Sequence, residues 1–280
     1  QEANGLMAEG KNLVGVDIGS SAIKVCQIKE TRKGLTLFRC GYEPLPPQTI
    51  VDGHVMNSSA VVEALGRVVR DAGVRTRDVA LGVSGQSVII RKISVPLMTS
   101  EELDEQIQWE AEQHIPFDIK DVQIDYEVLR RRPDAGQMDL LLVAAKRDEI
   151  NDYAQLAREA KLRPMCVDID AFCLQNIFEV TFGLPQDSTI ALLNVGASLT
   201  SLNIVAKGVS AFTRDIANGG QSFTEEIQKQ LGVSRDQAEA YKIGGTGTEV
   251  VPAQVHHMLG QVADGLAGEV GHAPGPDVEP

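Results

Sequence analysis

Apolar residues at the start of the chain alternate with polar ones: NLVGVD (12–17), KVCQI (24–28) and LTLFRC (35–40) are short runs separated by IGSSAI and by a polar turn around Gly34. That period of two predicts three strands in a β-meander. After Ser58 and Ser59 the period changes, because Val61, Val62, Leu65, Val68 and Val69 form a helical stripe that stops at Gly73. DVALGVS (78–84) and SVIIRKISV (87–95) return to strand patterning on either side of Gly85. Thr99 and Glu102 have the spacing of a capping box, and Leu103, Ile107, Ala111 and Ile115 continue the face it would start. A helix over about 100–114 follows, ended by Pro116.

Segments 123–130 and 138–146 predict a strand pair joined by RRPDAG, and Ile150, Tyr153, Ala154 and Ala157 predict a helix over 149–160. A short strand at 163–169 leads into an apolar helix from Ala171 to about Phe182. TIALLNVGASLTSLNIV (189–205) then repeats the opening theme of strand, glycine turn and strand, which points to an internal duplication. GVSAFTRDI is followed by two helices with capping-box spacing, Ser222 to Glu225 and Ser234 to Gln237, closing at Gly232 and Gly244. Val255, Leu259, Val262 and Leu266 support one more helix, and GHAPGPDVEP (271–280) reads as a disordered end.

Composition narrows the function classes. A hydrophobic content of 43% over 280 residues is enough for a buried core, while a formal charge of -13 disfavours a nucleic-acid partner. The longest apolar runs, MDLLLVAA (138–145) and TIALLNV (189–195), fall far short of the roughly 20 residues of a membrane-spanning helix. Direct membrane insertion is not expected, so any membrane association would come through a partner. QEANGLMAEGKN lacks the pattern of a signal peptide, which predicts a cytoplasmic protein; residues 1–6 are set aside from the fold. Cys26, Cys40, Cys166 and Cys173 sit in apolar segments without CxxC spacing and read as buried reduced thiols.

Two turns carry candidate chemistry. In Asp17-Ile18-Gly19-Ser20-Ser21, with Lys24 shortly after, glycine lets the backbone turn tightly. Successive amides and two hydroxyls can then face a phosphate, while Asp17 orients a hydrated divalent cation. An ordinary hairpin with a polar tip has the same pattern, and for one turn alone the two readings weigh equally. The second turn, Asn194-Val195-Gly196-Ala197-Ser198-Leu199-Thr200, occupies the equivalent place in the repeated unit. Two such turns facing each other across a cleft would clamp a polyphosphate. Asn194 offers a neutral amide where a carboxylate would help activate water, so weak hydrolysis is expected. His256, His257 and His272 lack the spacing of a metalloprotease helix, and Met98 and Met138 read as core or loop. Trp109 lies off its helix's apolar stripe, consistent with burial against another lobe or with a partner surface.

The paired turns resemble the phosphate motifs of the actin and sugar-kinase superfamily. VGVDIGSSAIKV, SVPLMTSEELDEQIQWEAEQHIPFDI, VDIDAFCLQNIFE, LLNVGASLTSLNIV and TRDIANGGQSFTEEIQKQLG together resemble the PilM family of type IV pilus assembly, in order and spacing, over roughly residues 11–245. The resemblance implies an α/β, actin-like, two-lobed fold with duplicated β-meander/helix units and an FtsA-like inserted subdomain. Its expected parts are a disordered segment 1–10, a first lobe 11–84, the insert 85–165, a connecting helix 166–188, a second lobe 189–270 and a disordered tail 271–280. After LAGEV (266–270) the family's continuation, with its glycine-rich adenosine loop, is not recognisable, and the C-terminal portion reads as truncated or divergent.

The resemblance further implies ATP or ADP with Mg. Asp17, Gly19, Ser20, Ser21 and Lys24 would form the first phosphate motif, and Asn194, Gly196, Ala197 and Ser198 the second. Asp170, with Asp168 as second choice, matches the acidic position facing the metal, which Asp17 and Asp170 would hold through water; an N-cap role for Asp170 can coexist. Gly219 and Gly220 would approach the nucleotide closely, and Glu239 and Lys242 would contact its ribose and adenine side; a solvated helix face is the other reading of that pair. The implied role is a cytoplasmic scaffold with at most weak ATPase activity and no assigned catalytic residue, recruited to the inner membrane and serving pilus assembly and twitching motility. Its implied partners are the cytoplasmic N-terminal peptide of PilN and other inner-membrane pilus assembly proteins, with self-association left open. Ile89, Ile107 and Trp109 are the candidate peptide contacts. An FtsA-like division protein would need a C-terminal amphipathic helix, which GHAPGPDVEP does not provide. A small-molecule kinase would need a carboxylate base, which Asn194 does not provide.

Overall fold

The computed structural model describes residues 13–32, 34–245 and 250–271. The opening alternation forms three antiparallel strands in sequence order, β1 (Val14–Ile18), β2 (Ala22–Thr31) and β3 (Gly34–Pro44). A two-residue ladder, β4 (Ile50–Val51) with β5 (His54–Val55), precedes helix α1 (Ser58–Asp71). The Asn57 side chain caps α1 by accepting the Ala60 amide, and Gly73 leaves the helix at φ +64°, a conformation other residues rarely adopt. β6 (Asp78–Val83) returns parallel to β1.

An excursion then builds a separate antiparallel sheet. β7 (Val88–Pro96) is followed by helix α2 (Ser100–Glu112) and by the hairpin β8 (Val122–Arg132) and β9 (Gln137–Lys146), in sheet order β7-β9-β8. The capping box of α2 is present in both directions: the Thr99 amide donates to Glu102 Oε2 at 2.8 Å and the Glu102 amide to Thr99 Oγ1 at 3.2 Å. Ile93, Val95, Leu103, Ile107, Met138, Leu140 and Leu142 form this sheet's own core. At its margin the buried Asp139 accepts from Ser94 Oγ at 2.6 Å and Arg132 Nη2 at 2.7 Å.

The excursion ends earlier than 165. Helix α3 (Arg147–Glu159) puts Tyr153, Ala154, Leu156 and Ala157 into the same core as α1 and β1, and β10 (Arg163–Ile169) pairs parallel to β6. The main sheet therefore runs β10-β6-β1-β2-β3, and the inserted sheet with its helix occupies 88–146. The α3 stripe fits either neighbour in sequence, and only the tertiary contact assigns it.

The chain divides into two compact units, residues 1–173 and 174–280, with helix α4 (Asp170–Phe182) running across the division. In the second unit β11 (Thr189–Val195), β12 (Thr200–Ala206) and β13 (Val209–Ile216) form an antiparallel sheet in sequence order. Helices α5 (Gly220–Leu231), α6 (Arg235–Lys242) and α7 (Gln254–Gly271) follow, with Ile227, Ala238, Val255 and Met258 as their shared core.

Three sequence expectations need correction. Ser222 does not cap α5, which begins at Gly220 with Gly219 in the cap position. Ser234 does cap α6, but the Gln237 side chain bonds Tyr241 Oη, so the reciprocal half of the box is missing. Cys40, Cys166 and Cys173 are exposed and Cys26 is half-buried: Cys40 and Cys166 stand on the edge strands β3 and β10, which show one side to solvent, while Cys173 lies on the helix that follows β10 and Cys26 on β2. Segment 1–10 and residues 272–280 of the expected tail lie outside the described residues, while Gly271 closes α7.

Candidate functional site

The first turn joins β1 to β2 in the register Ile18↔Ile23, and the Gly19 amide donates to the Ala22 carbonyl at 3.1 Å. A Cβ on Gly19 would stand 3.2 Å from that carbonyl, so the turn is as tight as its sequence implied. Asp17 and Lys24 face each other across the hairpin, and Lys24 Nζ donates to Asp17 Oδ2 at 2.7 Å with both side chains about half exposed.

Because β1, β6 and β10 are parallel, their carboxyl ends share one edge, the place where open α/β sheets bind ligands. The registers Val16↔Leu81 and Gly82↔Asp168 bring Asp17, Gly82 and Asp168 to one row at that edge. Asp168 turns back to accept its neighbour's amide, Ile169 N, at 2.7 Å. Asp170, the first residue of α4, fills the space above Gly82, where a Cβ would collide with its Oδ1. Asp170 is thus packed over this row beside Gly82, a residue with no signal of its own in the sequence.

Buried Tyr153 lies beneath, its phenol pKa raised by burial first and then by the negative charges of Glu149, Asp170 and Asp17. Asp17 and Asp170 thus contribute to one acidic field. Among the described residues no group of three or more His, Cys, Asp and Glu side chains is placed to hold a metal directly. Two carboxylates at the edge suit Mg, which is bound by one or two carboxylates and keeps several waters.

The second turn has the same construction. β11 and β12 pair as Val195↔Thr200, again leaving four residues between, and the Gly196 amide donates to the Leu199 carbonyl at 2.8 Å. A Cβ on Gly196 would lie 2.7 Å from that oxygen, closer than real contacts allow. Asn194 is exposed at the end of β11, opposite Ser201.

The back of this turn is held by α5. Gly220 N donates to Gly196 O at 2.8 Å and Gln221 N to Ala197 O at 2.7 Å. A Cβ on Gly219 would meet both carbonyl oxygens, at 2.6 and 2.8 Å, so glycine is what lets the helix press against the turn. Gly219 and Gly220 therefore approach the turn's own backbone, and the first amides of α5 are spent on it.

Glu239 and Lys242 form more than a surface pair, although the Glu239 side chain is about half exposed. Lys242 Nζ contacts Glu239 Oε2 at 2.6 Å and also donates to Gly220 O at 3.1 Å and Thr224 Oγ1 at 3.0 Å, while Thr224 Oγ1 donates to Glu239 Oε2 at 2.6 Å. The cluster ties α6 to the start of α5. Burial alone would raise the Glu239 carboxyl, but the hydrogen bonds from Lys242 and Thr224 outweigh it and hold its pKa below the usual range. Sequence reasoning missed Thr224, which is buried; Thr200, the last residue of the second candidate turn, is also buried, and its Oγ1 donates to Asn218 O at 2.7 Å and fixes the approach to Gly219.

Of the candidate peptide contacts, Ile107 is 7% exposed in the inserted core and is withdrawn: its place on the apolar stripe of α2 makes it a core residue. Ile89 is partly buried against the same core, and Trp109 is 75% exposed.

The family model described as type IV pilus assembly protein PilM matches residues 15–257, most of the chain and both turns. The chain belongs to the PilM family. The solved PilM-PilN type IV pilus biogenesis complex superposes on this PilM-family chain with a TM-score of 0.81 at 26% identity, over 92% of this chain and 75% of that one. The cell division protein FtsA of Bacillus subtilis (strain 168) is 24% identical over 256 residues, covering 82% of the chain and 57% of FtsA. The chain thus spans little more than half the length of that curated relative. MreB 5 of Spiroplasma citri, solved bound to AMPPNP, matches with a TM-score of 0.51 at 11% identity, over 94% of this chain and 80% of its own, a likeness of fold alone. The actin-like fold expected from the paired turns is thereby the fold of the PilM family.

Proposed function

We propose that this PilM-family chain is a nucleotide-binding scaffold of the type IV pilus inner-membrane assembly complex, with little or no turnover of its own. The observation that carries the nucleotide part is the repetition of one turn: Gly19 to Ala22 and Gly196 to Leu199 close with the same hydrogen bond at the same strand register. Each presents a short stretch of backbone and a Ser or Ala tip, the chemistry that cradles a phosphate. Lys24 would exchange Asp17 for a phosphate oxygen, and Asp17 and Asp170 would hold Mg through water, which would neutralise phosphate charge. Asn194 stands where a carboxylate would be needed to take a proton from water, so hydrolysis is slow.

The PilN complex of the solved relative supports a second part of the reading: this chain takes the cytoplasmic N-terminal peptide of PilN beside the inserted sheet. No helix among the described residues is long and apolar enough to cross a membrane, so a partner of this kind supplies the membrane address.

Calorimetric titration of ATP with Mg, followed by a PilN N-terminal peptide in the same sample, tests both parts. Saturable binding of each is expected. Peptide binding without ATP binding would leave an adaptor that does not use nucleotide, and failure of both would overturn the reading. ADP formation that rises with an added hydroxyl acceptor, with the phosphoryl group recovered on that acceptor, would instead indicate a kinase.

A further inference from the structure

Two of the chain's free thiols face each other inside one hairpin. Cys26 of β2 pairs directly with Cys40 of β3, between the pairs Val25↔Gly41 and Gln27↔Arg39. Directly opposed residues of an antiparallel pair share a face, with Cα atoms about 4.5–5.5 Å apart. A disulfide forms at Cα separations of about 4.4–6.8 Å, so only the Cβ atoms must draw in, by roughly 1 Å. The surroundings allow that movement. Across from Cys26 on the other side, Gly15 of β1 has no side chain to crowd the sulfur. One pair further along, the ladder shifts register between Gln27 and Ile28, and such an irregularity loosens β3 beside Cys40. Both strands belong to one continuous stretch, residues 22–44, so the apposition is set locally.

We propose that Cys26 and Cys40 are a reversible dithiol–disulfide pair, oxidised by a hydroperoxide and reduced by a glutathione-type thiol. Cys40 is the exposed member and Cys26 the half-buried one, which sets the order of events. Burial first, and then Cys40 itself, push the Cys26 thiol up, so Cys26 acts second. The Cys40 thiolate attacks the peroxide: an S–O bond forms, the O–O bond breaks, and the departing alkoxide or hydroxide takes up the proton that the thiol released. The Cys26 sulfur then attacks the sulfenic sulfur of Cys40. An S–S bond forms, the S–O bond breaks, and the oxygen leaves as water with the Cys26 proton. The two thiols have together given two electrons to the peroxide. The adjoining row of the same face holds Asp17, Lys24 and Tyr42, so the link clasps β2 to β3 beside the first turn.

The test treats the whole, dilute chain with hydrogen peroxide, blocks remaining thiols and maps tryptic peptides by mass. Peptide 25–29 should be recovered joined to peptide 40–67, and glutathione should separate them. Cys166 and Cys173 fall in one tryptic peptide, 162–207, so a link between them cannot be mistaken for this one. Equilibration with reduced and oxidised glutathione should give a disulfide constant at least about tenfold larger in the native chain than in urea, a difference of about 30 mV. Cys40→Ser should leave Cys26 unlinked with circular dichroism unaltered. The proposal is overturned if Cys40 proceeds to sulfinic acid while Cys26 stays reduced, if the link joins two chains, or if the constant is no larger in the native chain than in urea.

Discussion

At the scale of single residues, two adjacent glycines have different duties. Gly219 faces the carbonyls of Gly196 and Ala197 at distances a methyl group cannot share, whereas a Cβ on Gly220 would have nothing nearer than 3.6 Å. Gly219→Ala should therefore push α5 off the turn and cost roughly 1–3 kcal/mol, the usual effect of overpacking. Gly220→Ala should be neutral or stabilising by up to about 1 kcal/mol, since alanine favours a helix. Urea unfolding of both variants checks this, and equal losses would show that the clash is relieved elsewhere. Glu239 supplies a pH test. Its carboxyl is more acidic in the folded chain than in the unfolded one, so its contribution is present above the unfolded pKa, near 4.3, and is lost as pH falls through the lower folded value. The stability gap between the wild type and Glu239→Gln, read by thermal unfolding, should be constant between pH 6 and 8 and close below about pH 4. A gap that widened in acid would mean that the Lys242 and Thr224 bonds do not favour the ionised form.

Elements differ in how much of their context their own sequence contains. The α2 start is local: Thr99 and Glu102 complete each other's hydrogen bonds, and the box was readable from spacing alone. Thr99→Ala should cost about 1 kcal/mol, measured by urea titration, with no change in the fold. The α5 start is not local, because its amides are satisfied by carbonyls of the second turn more than twenty residues earlier in the chain. Ser222 and Glu225 look like a cap only when that turn is unseen. The inserted sheet shows the same divide. Its strands and helix follow from periodicity, but the assignment of α3 to the α1 core, the burial of Ile107 and the place of Asp170 over Gly82 all depend on contacts between distant segments. Asp139 is such a contact, joining β7, β8 and β9 through Ser94 and Arg132, and its pKa is lowered chiefly by the Ser94 hydrogen bond. Asp139→Ala should cost roughly 2–3 kcal/mol by leaving Arg132 and Ser94 without their acceptor. A loss below 0.5 kcal/mol in urea unfolding would mean that water replaces the carboxylate.

For the whole molecule, the two units should differ in local stability although they repeat one plan. The first unit packs one face of β1 in a core shared with α1 and α3, with Val14, Ile23, Leu65 and Leu81 all at 2% exposure or less. The second leaves the matching face of β11 open and concentrates its helical core on Ile227, Ala238, Val255 and Met258. Apolar area left in water contributes nothing, at about 25 cal/mol for each Å² that could have been buried, so the second unit opens at lower free energy. Native-state hydrogen exchange should then show the amides of β11 and β12 exchanging faster than those of β1 and β6. ATP with Mg at a hundred times its Kd adds about 2.7 kcal/mol to whichever structure binds it. If both turns hold phosphate, protection should rise at Gly19 in the first unit and at Gly196, Gly220 and Gln221 in the second, since the latter amides close the turn and anchor it to α5. Protection confined to the first unit would mean that Asp17, Lys24 and Asp170 bind the nucleotide alone, and that the repeated turn serves only the fold.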